Sequence, residues 1–154
     1  MDLVALPGVV ARGHRVASGA AGDPRFPRGT ILPQLPFFRA ALPDWDAYLA
    51  APAFPGTINV KVNGTVETVA PEIFVPAVRW TTHFPPENFY LSRGGIMHGG
   101  SRYPAFLYIP DPVTKPDHVQ GARIIELLAA HVPGLTYGAP VSILFQSGAI
   151  RLIT

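Results

Sequence analysis

The stretch FPGTINVKVNGTVETV, Phe54–Val69, decides how the rest of the chain is read. Thr57 to Val62 and Thr65 to Val69 are rich in β-branched residues, and Asn63-Gly64 between them is a preferred pair for a type I′ turn. That pattern predicts a β-hairpin. Ahead of it, Pro55-Gly56 makes a turn that opens onto Thr57 and Asn59. These two oxygen-bearing side chains are two residues apart, so on an extended strand they point to one side.

Working outward, the composition narrows what such a strand can belong to. The chain has 154 residues, enough for one good core, which predicts a single domain over residues 1–154. Hydrophobic residues are 48% and charged residues 14%, too apolar for disorder. No apolar run reaches the roughly 20 residues of a spanning helix. The N-terminus lacks a basic n-region and has a Pro-Gly break, so no secretory signal is expected. Without cysteine there are no disulfides, no thiolate catalysis and no cysteine-ligated metals, which fits a cytoplasmic protein. The formal charge is +2 and the twelve basic residues form no run, so neither nucleic acid nor membrane is expected as a partner, only small-molecule substrates.

Eighteen prolines and fifteen glycines leave room mainly for short strands. Further strands are expected at Gly8 to Ser18, Ile73 to Trp80, Ala105 to Ile109 and Val141 to Phe145. Leu35, Phe38, Leu42, Trp45 and Leu49 recur at helical spacing, which predicts a helix over Gln34 to Leu49, shortened or kinked by Pro36 and Pro43. A second helix is expected over Asp117 to Val132, with Asp117 as N-cap and Pro133-Gly134 as its stop. Thr81 to Tyr103, rich in glycine and aromatics, reads as a loop covering one mouth of the structure. Six or so strands and one or two helices in this length predict a mostly β fold, a small closed six-stranded barrel that leaves no sheet edge exposed.

The order of motifs resembles that of the archaeal CTP-dependent riboflavin kinases. PGTIN followed by Val-Lys-Val is similar to the signature of that family. The run Val16 to Gly22 resembles its glycine-rich turn after the first strand. Phe106 to Pro110 resembles its apolar strand ending in proline, with a threonine, here Thr114, soon after. Ile124 to Ala129 is similar to its helix carrying a glutamate, and GAPVSILF to its closing strand. The resemblance spans about Gly8 to Phe145. It departs from the family at Asp23 to Thr30, longer than the usual loop, and in the Gly-rich His83 to Arg102 region.

The resemblance implies a cradle-loop barrel that transfers a phosphoryl group from CTP to riboflavin with magnesium, giving FMN. It assigns the metal to Thr57 and Asn59, nucleotide contacts to the small-residue turn Ser18, Gly19, Ala20, Ala21 and Gly22, and flavin contacts to Thr114 and Glu126. The residue chemistry is compatible with this. Magnesium takes hard oxygen ligands and keeps several waters, so a hydroxyl and an amide oxygen beside substrate phosphates suffice. Successive small residues expose backbone N–H groups that can cradle phosphate. Glu126 stands among apolar neighbours, where a carboxylate needs a partner, and Arg123 lies three residues before it on the expected helix.

Other readings are weaker. The five histidines show no ligand spacing for zinc. MHGGS around His98 is similar to an esterase oxyanion loop, but no GxSxG elbow accompanies it. No residue announces itself as a general base. The alternatives to a kinase are a flavin- or nucleotide-binding barrel without catalysis, and a structural or assembly barrel in which PGTIN is only a turn.

Overall fold

Val60 and Val62 are buried while Lys61 between them is exposed, the alternation of a strand with one face in a core. In the computed structural model, which describes residues 2–12, 23–114 and 123–153, this strand is the second of nine. They are β1 (Leu3–Ala11), β2 (Ile58–Val62), β3 (Thr65–Thr68), β4 (Ile73–Val78), β5 (Glu87–His98), β6 (Ser101–Pro110), β7 (Ile124–Ala129), β8 (Pro140–Gln146) and β9 (Ile150–Ile153). Two helices, α1 (Ile31–Ala41) and α2 (Trp45–Leu49), lie between β1 and β2.

The sheet runs β4-β5-β6-β7-β2-β1-β8, and β8 pairs back onto β5. That last pairing closes an antiparallel barrel of six strands, as expected, and leaves β4 as an extra strand. β4 and β8 share one edge of β5. β4 takes Glu87 to Leu91, and β8 takes Gly94 to Met97.

One buried cluster fills the barrel, with Val60, Ile96, Leu107, Leu127 and Ile143 fully covered. A second lies between the sheet and the helices, where Ile31, Leu35, Phe38, Trp45 and Leu49 meet Phe89, Leu91, Phe106 and Leu128. Trp45 lies flat on Phe106 with ring centroids 4.3 Å apart and planes at 4°. The helical spacing read from the sequence therefore names the right contact residues. The expected single helix is divided: Leu42 ends α1 just before Pro43, and Pro36 stays within it. Residues before a proline leave the helical region, which is why the break falls there.

Several expectations are corrected. Thr57 to Val62 and Thr65 to Val69 do not form a hairpin. β2 is flanked by β1 and β7, while β3 turns away to pair with β9 in a separate two-stranded sheet. Both edges of β2 are taken by barrel neighbours, so none is left for β3. Asn63-Gly64 is a bend, and only Gly64 has positive φ. The two-residue hairpin turn with positive φ at both centres is Gly99-Gly100, at 57° and 79°, joining β5 to β6 with His98 opposite Ser101. His98 is thus a hairpin-end residue.

The expected loop Thr81 to Tyr103 contains β5, the longest strand, whose Gly94-Gly95 step is where barrel closure happens. The expected helix Asp117 to Val132 is also corrected where it is described: Ile124–Ala129 is β7. Its inward residues Ile125, Leu127 and Ala129 fill the barrel, and its outward Leu128 meets the helix layer. Apolar residues on both faces hide the two-residue period and imitate a helix. β1 occupies Leu3–Ala11 and not Gly8 to Ser18; of that expected strand, residues 13–18 lie outside the described residues. Among the described residues no helix is long and apolar enough to cross a membrane.

Candidate functional site at the open end of β2

Antiparallel pairing of β2 with β7 sets Asn59 directly opposite Glu126, and pairing of β2 with β1 sets Ala11 opposite Asn59. Thr57 stands two residues before Asn59 and shares its outward face. The Thr57 and Asn59 pair and Glu126, named for different ligands from the sequence, are thereby brought together. Thr57 Oγ1 lies 3.2 Å from Asn59 Oδ1 and 3.4 Å from Glu126 Oε1. Asn59 is buried, and its Nδ2 donates to the Arg12 carbonyl at 3.3 Å, which turns its Oδ1 toward Thr57.

Thr57 and Asn59 form part of the wall of a cleft of ≈ 460 Å³. Gly56 and Phe54 continue that wall, and Arg12, His131 and Tyr137 line it as well. The Arg12 guanidinium sits 4.5 Å from the centre of the Tyr137 ring, and the Phe54 ring is 6.5 Å from that of His131. The cleft therefore combines oxygen-bearing side chains, a guanidinium and aromatic faces.

Behind the site the outer face of the sheet carries a buried polar row. Tyr108 of β6 is opposite Glu126 of β7, and its hydroxyl donates to Gln34 Oε1 of α1 at 2.7 Å. Burial pushes the Tyr108 phenol well above its usual value, with Glu126 and then Glu87 adding to the rise and the Gln34 bond opposing it. Trp80 Nε1 donates to Glu87 Oε2 at 2.6 Å, so this carboxylate is held within the helix-side core.

The remaining expected site residues fare differently. Thr114 accepts from the Asn88 N–H at 2.9 Å and its own N–H donates to Asp111 O, so its described partners belong to the loop after β6 and to β5. Ser18, Gly19, Ala20, Ala21 and Gly22 lie outside the described residues. The pairing of Glu126 with Arg123 rested on a helix that is not formed; on β7 the residues beside Glu126 across the sheet are Asn59 on β2 and Tyr108 on β6.

Phe54, Arg12, His131 and Tyr137 were not singled out from the sequence. Nothing local marks Arg12, His131 and Tyr137, because the four residues come from separate segments that meet only when β1 pairs with β2 and β8, and β2 with β7. Phe54, directly before PGTIN, carried the one available signal.

Chemically the three oxygens suit a hard cation. The Asn59 amide hydrogens are turned to Arg12, so the hydroxyl hydrogen of Thr57 faces two acceptor oxygens. A cluster of side-chain oxygens at the start of β2 fits magnesium, which takes carboxylate, amide and hydroxyl oxygens. Among the described residues no group of three His, Cys, Asp or Glu side chains is placed to hold a metal, so any cation here would rest on Thr57, Asn59 and the one carboxylate beside them. No protein-family model matches the chain, and no curated protein matches it.

Proposed function

We propose that this barrel is a magnesium-dependent phosphotransferase that moves the terminal phosphoryl group of a nucleotide, CTP by the resemblance, to the ribityl hydroxyl of riboflavin. The observation that carries the reading is the convergence of Thr57 and Asn59 oxygens on the wall of a cleft that also holds Arg12 and aromatic faces. Magnesium, when bound, neutralises phosphate charge. The chain's own residues do the positioning. The Arg12 carbonyl fixes the Asn59 amide, so its oxygen does not have to reorient when a ligand arrives. Gly56 lets the backbone approach a phosphate closely. The Arg12 guanidinium and His131 supply donors for phosphate oxygens, and Phe54 and Tyr137 supply faces on which a planar ring can stack. Phosphoryl transfer needs positioning and charge neutralisation more than covalent help.

The test is direct. Purified protein is incubated with riboflavin, magnesium and each of CTP, ATP, GTP and UTP, and FMN is measured by chromatography. FMN appears with one of them, and a chelator stops it. Quenching of riboflavin fluorescence without turnover by any nucleotide retires the kinase in favour of a binding barrel. No response to flavin or nucleotide leaves PGTIN as a turn in an assembly barrel.

A further inference from the structure

Two neutral oxygens hold magnesium poorly against water, since the ion dehydrates reluctantly and is ordinarily bound through one or two carboxylates plus substrate phosphates. Thr57 and Asn59 supply no charge. Glu126 does: its Oε1 is 3.4 Å from the Thr57 hydroxyl, and its strand position is directly across from Asn59. Residues opposite each other on one face of an antiparallel pair have Cβ atoms about 5 Å apart, a span that one cation can bridge. The side chain is half-buried, so solvent screens its charge only in part. Asn59 and Glu126 are mounted on paired barrel strands, which keeps their oxygens in register, and Thr57 directly precedes β2.

We propose that Glu126 is a ligand of the cation site formed with Thr57 and Asn59, and that its carboxylate lets the protein hold a divalent cation before any nucleotide arrives. This rests on the reading of Thr57 and Asn59 as metal ligands. It reassigns Glu126 from the flavin, where the family resemblance puts it, to the metal. The consequence is an ordered site: the cation binds first, and the nucleotide phosphates complete its shell.

The probe is Mn2+ alone, followed by the loss of its aqueous electron paramagnetic resonance signal on titration with full-length protein in the absence of nucleotide and flavin. One Mn2+ binds per chain and Mg2+ competes for it. Glu126→Gln, which keeps the shape and a hydrogen-bond acceptor for Thr57, weakens Mn2+ binding about tenfold or more, the scale already seen for changes just outside a metal's ligands. Asn59→Ala weakens it too. Glu67→Gln, on exposed β3 beside Arg151, leaves it unchanged. Circular dichroism melting of Glu126→Gln verifies that the barrel is intact; if that variant does not fold, Glu126→Asp, which keeps the charge and withdraws it by one methylene, replaces it and weakens Mn2+ binding as well. Absence of Mn2+ binding to the wild-type protein, or unchanged affinity in the folded Glu126 variant, overturns the proposal. The two readings fail separately. Magnesium-dependent nucleotide binding without binding of Mn2+ alone sinks only the role of Glu126, whereas Mn2+ held through Glu126 with no nucleotide response sinks only the kinase.

Discussion

At the residue scale, Thr57 and Asn59 differ in what else they do. Asn59 is 6% exposed and bonds the Arg12 carbonyl, so Asn59→Ala removes a structural hydrogen bond along with a ligand oxygen. Thr57 is half-buried, and among the described residues its hydroxyl bonds side chains of the cluster. Asn59→Ala should cost about 1 kcal/mol in urea denaturation, and Thr57→Ala less. In calorimetric titration with magnesium CTP each single change should abolish most of the binding, and the double variant should lose less than the sum, because the oxygens act as one unit. Fully additive losses would mean that the two side chains act independently and do not share an ion. Thr57 and Asn59 were legible in the sequence because they lie two apart at the start of one extended segment. Their contact with Glu126 was not, since that residue is far away in the chain and joins them only through the β2–β7 register.

At the element scale, the closure of β5 onto β8 depends on Gly94. A Cβ there would lie 2.2 Å from the Leu144 carbonyl oxygen and 3.0 Å from Leu107 Cδ1, and a paired backbone cannot retreat. Tyr48 of α2 donates to the Gly94 carbonyl at 2.6 Å, so the same residue also ties the helix layer to the seam. Gly94→Ala should therefore destabilise the protein by about 3 kcal/mol, at the upper end for overpacking. Gly99→Asn is the contrast. Nothing lies within 4 Å of a Cβ there, and asparagine tolerates the φ of 57°, so urea denaturation should show a loss of no more than about 1 kcal/mol. A similar cost for the two would place the closure elsewhere. β5 and β7 were the elements hardest to read. The glycines that the sequence presents as loop residues are a close-packed seam, and the Ile124–Ala129 run is buried on both faces, so its period of two is masked.

At the scale of the whole molecule, the buried Tyr108 couples stability to alkaline pH. Its phenol is held above the ordinary value of 10.0 chiefly by burial, then by Glu126 and Glu87. An acid whose folded pKa is raised contributes its stability fully below the unfolded pKa and loses it as pH climbs toward the folded one. The wild-type protein should lose stability from about pH 10 upward, as the unfolded chain ionises a group that the folded barrel keeps neutral. Tyr48, also raised by burial, adds in the same direction. Tyr108→Phe should be less stable at pH 7 by about 1–3 kcal/mol, because Gln34 loses its partner inside the core. Its stability should fall less steeply above pH 10 in urea titrations at stepped pH. An equally steep fall in the variant would assign the alkaline loss to other groups.

The sequence by itself determined that the chain is mostly β. It also determined which residues line the helix layer and which two oxygens stand after the Pro55-Gly56 turn, because periodicity, proline breaks and side-chain chemistry act over a few residues. The tertiary structure alone decided that Thr65–Thr68 leaves β2 for β9 and that Ile124–Ala129 is a strand. It also decided that Glu126, Arg12 and His131 gather around Thr57 and Asn59. Those outcomes follow from barrel closure: once six strands must each find two neighbours, long-range pairing overrides local preference and sets which distant side chains face one another.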